Sequence, residues 1–157
     1  MKINIGIEQK DLKKIHTLLN DLLADEYTLY TKTLNYHWNL RGVQFNDLHL
    51  FFRKQYEELF QVIDDLAERA RTIGADAAGT LQEFQKNTQL KEKPGVLPPS
   101  MTMVKNLLDD HETIIRSIRK GIKICEKSED SGSANFLTDL IEKQEKMAWM
   151  LRTFLEN

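Results

Sequence analysis

Between Gln44 and Ile73 the chain runs thirty residues without a glycine or a proline, and Gly74 follows at once. A stretch of this kind reads as one long helix ended at a glycine. His49, Arg53, Asp64 and Glu68 stand along it. At about 100° per residue these positions fall within about 100° of one another, so they share a single face. Yet His49 and Asp64 are 15 residues apart, roughly 22 Å along the axis. They cannot hold one ion within one chain. An antiparallel copy of the helix, related by a two-fold axis near residues 57 and 58, would set His49 of one chain opposite Asp64 and Glu68 of the other. A symmetric dimer would then own two complete sites, each built from both subunits.

Together with His37, these residues form a candidate metal-ligand set. Imidazole nitrogen with carboxylate oxygen and no thiolate suits Fe(II) better than a structural zinc site. Asp64 and Glu68, at i and i+4, point the same way and can reach one ion. The plainer alternative is an amphipathic helix with solvated charges and two incidental histidines. The four residues taken together weigh against it.

The rest of the chain reads as helices around one core. A first helix over about Glu8 to Asn39 carries Leu12, Ile15, Leu19, Leu22, Leu23, Tyr27, Tyr30 and Leu34 at three- and four-residue steps. It holds His37 in its last turn and stops near Gly42. A short helix is expected near residues 79–86. The run K-N-T-Q-L-K-E-K-P-G-V-L-P-P-S is a connector, with Ser100 as the expected N-cap of the next helix. That third long helix, about Met101 to Lys127, has the stripe Val104, Leu107, Leu108, Ile114, Ile115, Ile118 and Ile122, with His111 beside it as a core histidine. After the turn E-D-S-G-S, a fourth runs from about Ala134 to Leu155. The expectation is one all-α domain over residues 1–157: a ferritin-like four-helix bundle with one long crossover and a short helix in the connection between the second and third long helices.

The motif H-W-N-x-x-G-x-x-F-x-x-L-H-x-x-F from His37 to Phe52, the D-x-x-A-E-R from Asp64 to Arg69 and the E-K-x-x-W-M-L from Glu145 to Leu151 resemble the Dps family of miniferritins over nearly the whole chain. The resemblance implies twelve four-helix subunits in a hollow cage built on two-fold dimers. It also implies Fe(II) oxidation at intersubunit sites, usually with hydrogen peroxide, and storage of ferric mineral inside. His37, His49, Asp64 and Glu68 would be the metal ligands. Trp38 would be the oxidisable tryptophan near the site; a plainer role is an aromatic anchor at a helix end. Asp130, Asn135 and Asp139 match by position the acidic series lining that family's three-fold pores, where the asparagine should weaken the field. Acids favoured by a helix N-terminus would explain them equally well.

One position departs from the family. Four residues after the second histidine, where an acidic fifth ligand is common, this chain has Arg53. A guanidinium has no lone pair and cannot ligate a metal. Either Arg53 turns aside to Glu57, a weak surface-type pair, or it reaches across the dimer to Asp64 and Glu68 in the metal's place. In both cases the site should hold iron less tightly than one with five ligands.

Composition narrows the remaining choices. The net charge of −2 gives no general reason to expect polyanion binding. The first ten residues hold two lysines against one glutamate, and the end, F-L-E-N, has no basic tail, so DNA binding is not expected. Lys10, Lys13 and Lys14 make only a small cluster. A single cysteine, Cys125, excludes an internal disulfide and fits a reducing compartment. No signal-like or membrane-length apolar run is present, so a cytoplasmic location is expected. Two functional classes follow: a peroxide-consuming ferroxidase that stores iron, or a cage-forming protein whose site Arg53 weakens or silences.

Overall fold

The structure, a computed structural model, describes residues 3–156. Helix α1 spans Gln9–Asn39, α2 Phe45–Thr72, α3 Leu81–Asn87, α4 Ser100–Lys127 and α5 Ser131–Thr153. The short links make α1/α2 and α4/α5 antiparallel hairpins. They pack through α1 against α4, with α2 also touching α5, and the long connector carries α3 across α1. The stripes read from the sequence face inward: Leu12, Ile15, Leu19, Leu22 and Leu23 of α1, Val104, Leu107, Ile114 and Ile118 of α4, and Leu137, Leu140 and Leu151 of α5 are buried. No helix among the described residues is long and apolar enough to cross a membrane.

The ends of α2 are set by its glycines. Gly42 adopts φ +106° in the turn that reverses the chain, a region an L side chain enters only with strain. At the other end Gly74 (φ +89°) sits just past the C-cap Ile73. The Gly74 N–H donates to the Arg71 carbonyl and the Ala75 N–H to that of Ala70, at 3.0 and 2.9 Å, the paired closure of a Schellman ending.

Two boundaries differ from the sequence reading. Helix α5 starts at Ser131, three residues early, because the turn is completed at Glu129, the first residue of E-D-S-G-S. Glu129 takes φ +57° and closes α4, with the Asp130 N–H donating to the Cys125 carbonyl at 3.0 Å. Asp130 then caps α5, accepting from the Ser133 N–H at 2.9 Å and from Arg69 at 3.0 Å. A cap of this kind contributes about 1 kcal/mol. The carboxylate, 4% exposed, is thereby committed within the subunit, whereas Asn135 and Asp139 are exposed. The second difference is Ser100, which is the first residue of α4 and not its cap. Pro99 takes the cap position, and the Ser100 hydroxyl lies 3.2 Å from Gln44 Oε1.

Candidate metal centre

The turn at Gly42 brings the last turn of α1 back onto the first turns of α2. His37 and His49 meet there with ring centroids 3.8 Å apart and planes inclined by 20°. Each Nδ1 lies against the other residue's backbone carbonyl: His37 Nδ1 at 2.8 Å from the His49 oxygen, His49 Nδ1 at 3.1 Å from that of His37. A carbonyl oxygen only accepts, so both Nδ1 atoms carry the proton. Both Nε2 atoms are left as lone-pair donors, and the reciprocal bonds hold the rings as they would be held in a metal site. The His37 carbonyl is one of the unpaired acceptors at a helix end, so the clasp also satisfies a group the helix cannot.

Aromatic walls surround the pair. Tyr56 and His37 form a T-shaped pair with centroids 5.2 Å apart, and Phe45 stacks on His49 at 4.9 Å. Burial is the main cause that holds His37 below the ordinary histidine range, and the hydrogen bond to the His49 carbonyl opposes it. The net lowering keeps it available as a neutral ligand near pH 7.

Asp64 and Glu68 stand exposed at the far end of α2. Among the described residues neither carboxylate takes a hydrogen bond or ion pair from a side chain, although neighbouring Asp65 is engaged by Gln61 at 2.9 Å and Lys143 at 3.7 Å. No three His, Cys, Asp or Glu side chains of the described residues gather into a metal cage within one chain. The predicted ligands therefore fall into two half-sets, His37 with His49 and Asp64 with Glu68. Trp38 projects beside the first, 69% exposed. Arg53 donates through Nε to Glu57 Oε1 at 3.0 Å, the local one of its two expected pairings.

The sequence places His111 in the core, and the structure adds what it touches. Glu26, Gln55 and Gln144 are buried with it. The signal was present: Glu26 continues the stripe Leu19, Leu22, Leu23 of α1, and Gln144 sits between Ile141 and Met147 of α5. A polar residue at an apolar-periodic position was the clue.

Four long helices with one long crossover and a histidine–carboxylate face define a ferritin-like protein, and the ferritin-like domain family matches residues 16–157. Over 99% of its length the chain is 42% identical to a low-temperature-induced protein of Nostoc sp., covering 87% of that protein. With DNA protection during starvation protein 2 of Bacillus anthracis it shares 34% identity over 91% of this chain and 97% of that one. The Dps protein of Vibrio cholerae O1, described as a member of a broad superfamily of ferritin-like diiron-carboxylate proteins, superposes with a TM-score of 0.93 at 30% identity over 99% of this chain and 98% of that one. The chain belongs to the Dps family of miniferritins.

Proposed function

We propose that the chain is the subunit of a dodecameric cage, built on two-fold dimers, that oxidises Fe(II) with hydrogen peroxide and stores the ferric product. In each dimer His37 and His49 of one subunit face Asp64 and Glu68 of its partner. The observation that carries this reading is the His37–His49 clasp, which leaves two Nε2 lone pairs at one end of α2 while unengaged carboxylates stand at the other. Iron enters as the substrate. Two Fe(II) each give up one electron, the peroxide O–O bond breaks, and the oxygens leave as hydroxide. The protein's part is to bind neutral nitrogen and anionic oxygen to the same ion, which stabilises the higher charge of Fe(III).

The rival reading has Arg53 silencing the site by reaching across to Asp64 and Glu68. Its pairing with Glu57 within the chain is the arrangement the active reading requires. Duplex DNA is not a partner in this proposal. Lys10 is paired with Glu8 at 2.6 Å and Lys14 with Asp11 at 2.7 Å, which leaves Lys13 as the lysine of this cluster without an ion pair among the described residues, too little charge for a many-phosphate contact. Lys2 lies outside the described residues.

Anaerobic Fe(II) mixed with the protein should oxidise rapidly on adding peroxide and slowly on adding oxygen. Light scattering should report a particle near twelve subunits. A mass near that of one 18.3 kDa chain at micromolar concentration would remove the intersubunit site from consideration.

A further inference from the structure

A line of buried polar side chains crosses the bundle core, apart from the proposed iron ligands. Glu26 of α1, Gln55 of α2, His111 of α4 and Gln144 of α5 are each no more than 2% exposed. Gln144 Nε2 lies 2.7 and 2.8 Å from the two Glu26 oxygens, and Gln144 Oε1 lies 2.5 Å from His111 Nδ1. His111 Nε2 is 3.2 Å from Gln55 Oε1, and Gln55 Nε2 donates to the Met147 carbonyl at 3.1 Å.

Matching donors to acceptors along this line restricts its protonation. The Met147 carbonyl only accepts, so Gln55 gives it an N–H and turns Oε1 toward His111. Oε1 only accepts, so His111 carries a proton on Nε2. Two arrangements then compete. In one, Gln144 donates to an ionised Glu26 and accepts from a doubly protonated His111. In the other the Gln144 amide is reversed: a carboxylic acid at Glu26 donates through one oxygen to Gln144 Oε1, its second oxygen turning away from the amide atom that both now approach at 2.7 and 2.8 Å, and Nε2–H donates to the bare Nδ1 of His111. Amide oxygen and nitrogen have nearly the same shape and can exchange places. Both arrangements hold the same number of protons, but the first buries two charges and the second none, which a dry core favours. With one proton fewer, a carboxylate would face a neutral imidazole through an amide able to donate well to only one of them.

The charges around the line act the same way. On α1, Asp25 adjoins Glu26, and its carboxylate is held by Thr88 and Gln89 of the connector. From α4 the titratable group on the line is His111, while α2 and α5 contribute the amides of Gln55 and Gln144. With Gln144 Nε2 toward Glu26, burial pushes the carboxyl up to about 8, with Asp25 adding and Gln144 opposing; reversing the amide removes the opposing bond. Burial also pulls His111 down to about 4 against the Gln144 hydrogen bond.

We propose that this line is an alkali-sensitive tie: a single proton on Glu26, with the Gln144 amide turned toward His111, links the four long helices, and its departure breaks the link between Gln144 and His111. Folded Glu26 keeps a proton that the unfolded chain has lost above its ordinary value of 4.5, so Glu26 lowers stability as pH climbs from there to about 8. His111 acts oppositely, raising stability from about 4 to its ordinary 6.5. The two offset each other up to about 6.5, and a net loss remains from there to about 8.

Infrared spectra of the assembled protein carrying isotope-labelled glutamate, with melting curves between about pH 6 and pH 9, test this. Wild type should show the carbonyl band of a buried carboxylic acid at neutral pH, lost on alkalinisation. Its melting temperature should fall by roughly 5 °C across the same window. In Glu26→Gln, whose amide can still donate to Gln144, the band should be missing and most of that fall with it. Wild-type protein without an acid band at neutral pH, or a variant with an undiminished fall in melting temperature, would overturn the proposal. Should the variant not assemble, the wild-type band decides alone.

Discussion

Replacing His37 and His49 together with alanine should bring peroxide-driven Fe(II) oxidation down to the rate of iron and peroxide without protein, while assembly survives. The two imidazoles supply all the nitrogen in the proposed ligand set. Without them an iron ion would have only the two carboxylates of the partner subunit, and affinity should fall by well over the ten- to hundredfold typical of losing a supporting residue. The cost to folding is smaller. Two charge-neutral hydrogen bonds to backbone carbonyls are lost, at about 1 kcal/mol each, while the apolar interior of α1 and α2 from Leu12 to Leu66 is untouched. Stopped-flow oxidation and light scattering on the same preparation separate chemistry from assembly. A double variant that oxidised iron as fast as wild type would make both histidines bystanders.

Arg53→Asp should act in the opposite direction on iron. It places a carboxylate one turn after His49 on the ligand face, where the family commonly has a fifth ligand, and removes a cation that would repel Fe(II). Binding should tighten by about tenfold or more, the scale of one added charge-assisted contact, and oxidation should quicken. Without metal the same change should weaken the dimer, since the new carboxylate would crowd Asp64 and Glu68 at one interface with nothing to balance the three charges. Iron should therefore raise the melting temperature of the variant more than that of its parent, by mass action on the folded assembly. Anaerobic calorimetric titration, with melting curves taken with and without Fe(II), reads both effects. Unchanged affinity and melting would show that residue 53 lies outside the site.

How far the sequence reveals such a site depends on how local each signal is. The glycine-free span of α2 and its 15-residue separation of His49 from Asp64 follow from helical geometry alone, and the helix forms where that reading places it. The clasp between His37 and His49 is not legible, because it depends on how tightly the Gly42 turn folds two helix ends together. The start of α5 is hidden for a similar reason. Glycine marks most left-handed helix ends, but here Glu129 takes that conformation, and the cap it sets up at Asp130 is reinforced by Arg69 from 61 residues earlier in the chain. Of the contacts in the buried line through Glu26, Gln55, His111 and Gln144, that between His111 and Gln144 lies within one helical hairpin, and the others wait on the packing of the two hairpins. Glu26 and Gln144 on apolar stripes and His111 beside one mark polar groups in the core, but which of them touch does not follow from the sequence.

The proposed division of ligands between the two ends of α2 would give the protein a genetic signature. A subunit with His37 and His49 replaced and a subunit with Asp64 and Glu68 replaced would each, alone, form dimers with two broken sites. Joined in one dimer, they bring the damaged ends together at one site and the intact ends together at the other. Co-expression of two inactive alleles should then recover part of the activity, with at most one working centre in every mixed pair. A site housed within a single subunit could never be rescued in this way.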